Sequence, residues 1–450
     1  MHLLKERYEN LLKGQAVPKQ AFWGTAPSAP KDRNLTSEAV DLILAEAIRT
    51  RASDIHFETT LDFLRVRFRI DGILYDVLSI EPKSNLTVLP RIKVLANLPL
   101  DAASSRKALD SRFSAAINGQ QYDFRVSTFP TILGEKIVLR ILLKDPGLVD
   151  LNKIGLSDKD CARIERIIQH KSGLLVVSGP TGSGKTTTLY AILSRLHTPS
   201  VNIVTLEDPV EYQMNGMNQC YINEKVGETF ATGLRAILRQ DPNVILIGEV
   251  RDPETAEIAI RASITGHLVL TSLHANNALG TVIRLANMGL ERYLISYSMV
   301  GAVAQRLVPR LCEHCRVPYH SDMSTIKRIC EQSGVSPELF AAQEKNSAHD
   351  DLQYMIKDEP AAEELVFYKK NGCSLCNDTG YAGRIGIFEV VLFTEELRDA
   401  ILRNAPVREL TAVSQQAGLG SLAADALEKF KNGIVTLDDI YPILLERHKG

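Results

Sequence analysis

The run Leu174-Leu-Val-Val-Ser178 passes without a break into Gly179-Pro-Thr-Gly-Ser-Gly-Lys-Thr186, and this pairing constrains the fold more than any other feature of the chain. Consecutive apolar residues suit a strand buried on both faces, which belongs to a parallel sheet covered by helices. The glycines let the following loop curl so that backbone N–H groups face phosphate oxygens. Gly179, Pro180, Thr181, Gly182, Ser183, Gly184, Lys185, Thr186 and Thr187 form the predicted cradle. Lys185 reaches the β- and γ-phosphates, and the Thr186 hydroxyl suits Mg2+. A helix predicted from Thr187 to Leu196 adds its positive N-terminal end. The reading is ATP bound in a P-loop.

Three further apolar runs end in polar residues. Val244-Ile-Leu-Ile247 leads to Gly-Glu-Val-Arg-Asp252, the form of a Walker B strand, and makes Glu249 the candidate to polarise the attacking water. Asn202-Ile-Val-Thr-Leu-Glu-Asp-Pro-Val-Glu-Tyr212 carries Glu207, Asp208 and Glu211, which either face Mg2+ and water or form a solvated loop. His267 to Leu273 ends in His274, a candidate sensor of the γ-phosphate. Ligands of open α/β sheets gather at the C-terminal ends of the strands, where all these residues fall.

A chain of 450 residues is long enough for two to four domains. Residues 1–34, with Pro18, Pro27 and Pro30, read as a flexible leader. A helix is predicted from Leu35, capped by Thr36 or Ser37. Phe63 to Ile70 alternates apolar with basic residues and turns at Asp71-Gly72 into Ile73 to Val77, the pattern of a β-hairpin. Alternation returns at Tyr122 to Thr128 and Lys136 to Leu142, so residues 35–145 read as one α+β domain. A linker with Pro146 and Gly147 opens an ATPase domain over 146–390, and a helical region follows over 391–450.

Cys312-Glu-His-Cys315 and Cys373-Ser-Leu-Cys376 are two knuckles whose four thiolates suit tetrahedral Zn2+ within an insert over 312–376. A redox role would need a thioredoxin-like context, which is missing. His314 is expected to face solvent, and Cys161, Cys220 and Cys330 to be small buried hydrophobes. No run of apolar residues is long enough to cross a membrane, so the expected location is the cytoplasm. A net charge of −2 offers no basic stripe for a nucleic-acid partner. A purely regulatory ATP-binding module would require a damaged site, whereas Lys185, Thr186 and Glu249 are all present.

Taken together the motifs resemble the secretion ATPase superfamily of type II secretion and type IV pilus assembly. Gly179 to Thr186 matches its Walker A, Thr205 to Tyr212 its aspartate box, Ile245 to Asp252 its Walker B, and Thr265 to His274 its histidine box. Arg51 to Glu58, Asp123 to Thr128 and Gln305 to Cys312 extend the likeness over nearly everything from 35 to 445. The resemblance implies a RecA-like P-loop ATPase domain with a PAS-like N-terminal domain, six copies forming a ring. It implies that arginines of the PAS-like domain meet the nucleotide, Arg112, Arg125 and Arg140 by position, with Arg106 less well matched. The tetracysteine insert implies secretion or pilus extension rather than retraction. The implied partner is an inner-membrane platform protein, with the chain at the inner face of that membrane through partners only. About 35 residues precede the PAS-like region, which implies docking through the platform protein alone.

Overall fold

Basic residues alternating with apolar ones make Leu64–Ile70 a strand with one wet and one dry face, and this pattern organises the first of two compact units, residues 1–146 and 147–450. The computed structural model describes residues 2–13, 35–81, 87–143, 150–223, 227–321, 323–333, 335 and 365–445. Much of the linker and the middle of the cysteine insert therefore lie outside the described residues.

The first unit comprises α1 (His2–Leu12), α2 (Leu35–Arg49), β1 (Ala52–Thr59), β2 (Leu64–Ile70), β3 (Ile73–Ile80), α3 (Val88–Leu95), β4 (Leu109–Ile117), β5 (Gln120–Thr131) and β6 (Gly134–Leu143). Its strands form one six-stranded antiparallel sheet ordered β3-β2-β1-β6-β5-β4. Ile55, Phe57, Val66, Phe68, Phe124 and Leu139 point to the dry face and share a core with the three helices. The Asp71-Gly72 turn joins β2 to β3 with both residues at positive φ, a conformation that favours glycine and tolerates aspartate.

Residues 1–34 are not wholly a leader. His2–Leu12 is a helix whose Leu4, Tyr8 and Leu11, spaced on one stripe, are buried in this core, while residues 14–34 lie outside the described residues. Thr36 and Ser37 lie inside the first turn of α2 rather than before it.

The second unit contains α4 (Asp158–Ile168), β7 (Gly173–Ser178), α5 (Lys185–Leu196), β8 (Ile203–Glu207), β9 (Asn218–Tyr221), α6 (Phe230–Ile237), β10 (Val244–Ile247), α7 (Pro253–Ile264), β11 (Leu268–Leu273), α8 (Gly280–Asn287), α9 (Arg292–Ser298) and β12 (Met299–Leu311). After these come β13 (Val317–Ser321), α10 (Met323–Ser333), β14 (Leu365–Lys369), β15 (Tyr381–Leu392), α11 (Glu395–Leu402), α12 (Val407–Gln416), α13 (Leu422–Lys431) and α14 (Leu437–Leu445). The main sheet runs β15-β12-β7-β11-β10-β8-β9, parallel except for β15.

Successive residues of one strand enter different cores here. Leu174 and Val176 pack on one side of the sheet, Leu175 and Val177 on the other. This double burial explains the unbroken apolar runs. The C-terminal region is helical, with Thr394 and Ser421 capping α11 and α13. Asp425 of α13 ties that helix to the sheet by accepting the Phe388 N–H at 2.7 Å while paired with Lys429.

Candidate active site and metal site

The strand order decides which residues can meet. The histidine-box strand β11 separates the P-loop strand β7 from the Walker B strand β10, so Lys185, His274 and Glu249 follow three adjacent strands. Gly184, at φ 87°, a left-handed conformation that favours glycine, turns the P-loop into α5, where the tip of the Gln305 side chain approaches it closely. Lys185 donates to the carbonyls of Gly179 at 2.8 Å and Pro180 at 3.0 Å, a folded-back pose that holds its ammonium in the loop. Burial lowers the pKa of that ammonium; the Glu249 charge opposes the shift and the Arg306 charge adds to it.

Around the loop, Thr187 lies in the first turn of α5 and the hydroxyl of Thr188 donates to Gln305 at 2.7 Å. Ser183 carries a buried hydroxyl with no hydrogen-bond partner among the described residues, the kind of orphaned polar atom a phosphate oxygen would satisfy.

Glu249 stands at the centre of the strand ends. Its carboxylate pairs with Arg251 and lies 3.7 Å from His274 Nε2. The strand ends are fixed relative to each other: the Ser272 hydroxyl donates to Gly248 O at 2.7 Å and the Thr271 hydroxyl to Ile247 O at 2.9 Å. Arg251 also approaches Asp208 at 3.9 Å and so bridges the Walker B and aspartate-box loops. Arg251 received no role from the sequence, although it stood inside a quoted motif.

The expected acidic cluster divides. Glu207 does not face metal or water: it is 3% exposed, accepts the Tyr190 hydroxyl, and accepts the Thr205 hydroxyl at 2.6 Å. Burial pushes its carboxyl pKa up, against those hydrogen bonds. Glu211 is half-buried, and its N–H donates to the same Tyr190 hydroxyl at 3.3 Å. Tyr190, which the sequence reading passed over, thus ties α5 to the aspartate box.

Two residues on β12 add to the site. Gln305 lies under the P-loop, and Arg306 donates to the Asn276 carbonyl at 2.8 Å, tethering the loop after His274. That loop borders a cavity of about 480 Å³ between the sheet and α12–α14. Glu389 of β15 lines it and accepts the Ala278 N–H at 3.3 Å. Burial raises its pKa to about 7, against the pull of that N–H and of Arg306.

Arg112, Arg125 and Arg140 belong to the first unit. They are lateral neighbours in one register row across β4, β5 and β6. The row continues to Asp54 on β1 and Arg69 on β2. Arg106 sits in the turn before β4, outside this row.

Sγ atoms of Cys312, Cys315, Cys373 and Cys376 converge within 4.8 Å of one another. Burial raises the Cys376 thiol, but the Cys373 and Gly380 N–H groups, at 3.3 and 3.2 Å, bring it down to about 7. Four sulfurs at this spacing, with N–H donors aimed at one of them, fit a tetrahedral soft cation such as Zn2+. His314 is exposed. Cys330 is buried, but Cys161 is only half-buried and Cys220 is exposed on the edge strand β9, so the expectation of three buried thiols holds for one.

The sequence profile of the family described as "Type II/IV secretion system protein" matches residues 29–442. The chain belongs to that family. Type II secretion system protein E of Pseudomonas aeruginosa is 43% identical over 409 residues, covering 90% of this chain and 75% of that one. The type IV pilus assembly ATPase PilB of Myxococcus xanthus is 40% identical, with 89% and 66% covered. Among solved structures, the pilus retraction motor PilT with bound ADP aligns at a TM-score of 0.57 and 25% identity, covering 90% of this chain and 98% of that one. The Legionella pneumophila ATPase DotB aligns at a TM-score of 0.63 and 21% identity, covering 93% and 98%, a likeness of fold. This member of the secretion family is an ATP-hydrolysing enzyme with a RecA-like P-loop core. Among its described residues no helix is long and apolar enough to cross a membrane.

Proposed function

We propose that the chain is a hexameric motor that hydrolyses ATP at the inner face of the cytoplasmic membrane to drive assembly of a secretion pseudopilus or type IV pilus. The observation that carries this reading is the convergence of Lys185, Glu249 and His274 at the ends of β7, β10 and β11. The P-loop amides hold the β- and γ-phosphates of ATP, and Lys185 exchanges its loop carbonyls for phosphate oxygens. Thr186 would hold Mg2+, which would neutralise charge on the β- and γ-phosphates. Glu249 orients the attacking water and takes up its proton, Arg251 and His274 fixing the carboxylate from either side. The Arg112–Arg125–Arg140 row supplies guanidinium charge to the transferring phosphoryl group.

The tetracysteine cluster, read as a structural zinc site, supports extension rather than retraction. A platform protein of the membrane is the proposed partner, and no nucleic acid is required. The test is ATP turnover against protein concentration for the wild type and Glu249→Gln, with particle mass recorded in parallel. A rate per chain that rises as hexamers form and vanishes in the variant supports the motor. Full activity in a monomer, or in the variant, overturns it.

A further inference from the structure

The polar face of the first sheet has a spine. Asp54, His56 and Glu58 alternate along the polar side of β1, with Arg65, Arg67 and Arg69 opposite on β2 and Lys136 and Arg140 opposite on β6. The two carboxylates hold their basic neighbours differently. Glu58 takes a terminal nitrogen of Arg67 at 2.7 Å and the Lys136 ammonium at 2.9 Å, so it holds these basic groups by their tips. Asp54 instead accepts from Nε of Arg140, at 3.0 Å.

A guanidinium held at Nε keeps both terminal nitrogens for another acceptor, and those nitrogens form the fork that grips two phosphate oxygens at once. In Arg140 they make no hydrogen bond among the described residues. The Asp54 carboxylate is 9% exposed while the Arg140 side chain is 60% exposed, so a buried acid anchors the root of an arginine whose tip stands in solvent. Asp54 is itself braced. Its second oxygen accepts the Ser53 hydroxyl at 2.8 Å and lies 3.7 Å from Arg69 Nε, and Arg69 is pinned to the Gly72 carbonyl at 2.9 Å.

We propose that Asp54 is a positioning residue for ATP hydrolysis, holding Arg140 by Nε so that its two terminal nitrogens are presented to the nucleotide phosphates. The assignment rests on the reading that Arg140 meets those phosphates. Anchoring at the root removes most of the rotamers a free arginine would sample, so the cost of ordering the tip falls before the phosphoryl group moves.

The test is a double-mutant cycle on the full chain, measuring kcat, KM and Tm for Asp54→Asn, Arg140→Ala and the pair. Arg140→Ala is expected to lower kcat on the order of a hundredfold, as for loss of a transition-state donor. Asp54→Asn is expected to lower kcat about tenfold at unchanged Tm, and to have no further effect once Arg140 is alanine. Asp54→Asn that costs the same factor in both backgrounds, or nothing in either, overturns the assignment and leaves the arginine reading intact. Wild-type kinetics in Arg140→Ala overturns the arginine reading itself. If Asp54→Asn fails to fold, Ser53→Ala loosens the same carboxylate and enters the same cycle, with a smaller loss of kcat expected only where Arg140 is present.

Discussion

The two sheets bury their residues by opposite rules. In the first unit, β1 sends Ile55 and Phe57 inward and leaves Asp54, His56 and Glu58 on the other face. In the second, β7 sends Val176 to one core and its neighbour Val177 to the other. A sheet open on one side can carry functional groups anywhere along its strands. A sheet covered on both sides can carry them only where the strands stop, so Lys185, Glu249 and His274 lie past the ends of theirs. The first arrangement spreads charge over a surface, and the second concentrates chemistry at an edge.

The sharpest way to break this comparison is to place a charge on each face. Val176→Asp and Val177→Asp are both expected to cost more than about 4 kcal/mol and to leave no cooperative thermal transition in the second unit. A tolerated charge at either position would mean that one face of that sheet is open. In the first unit, Lys93 of α3 is 2% exposed and pairs with Glu135 at 3.2 Å. Lys93→Ala strands the glutamate, and a loss of about 3 to 5 kcal/mol in denaturant unfolding is expected.

Glu389 supplies a pH signature for the covered sheet. Its folded pKa is raised from 4.5 to about 7, so the stability it contributes is present below pH 4.5 and lost as pH rises through about 7. Glu389→Gln should flatten that slope and stabilise the second unit by about 3 kcal/mol at pH 8, read from denaturant midpoints at several pH values. The smallest effect belongs to His56, whose ring nitrogens are buried without partners among the described residues. Burial, with Lys136 and Arg69, lowers its pKa below 6.5, so its contribution is lost as pH falls. His56→Leu is expected to gain about 1 kcal/mol, and more in acid. A loss instead would show that the imidazole has a polar partner.

These rules also decide what could be read from sequence. The alternation in Leu64–Ile70 and the unbroken run in β7 announced their sheets because burial writes itself as period two or as no period. The same lack of period hid the orientation of Glu207: in a strand buried on both sides nothing in the sequence says which side a polar residue takes. The alignment of Arg112, Arg125 and Arg140 with Asp54 depends on strand register, which pairs residues up to 86 positions apart. Helix α1 could have been read from Leu4, Tyr8 and Leu11, but the proline-rich stretch after it dominated the composition. Gln305 and Arg306 stood in a recognised motif, yet their contacts with Thr188 and Asn276 come from the fold alone.

Strand β12 passes under the P-loop at Gln305 and ends beside Cys312, the first sulfur of the cysteine cluster. It is bonded in parallel to β7 over Met299–Ala304 and in antiparallel fashion to β15 over Gly301–Leu311. A pull on the cysteine cluster along the strand axis would therefore meet these rungs in shear, all straining together, rather than peeling them apart one by one. The strand is a tie-rod, stiff in tension, with the nucleotide loop at one station and the cysteine knuckles at its end.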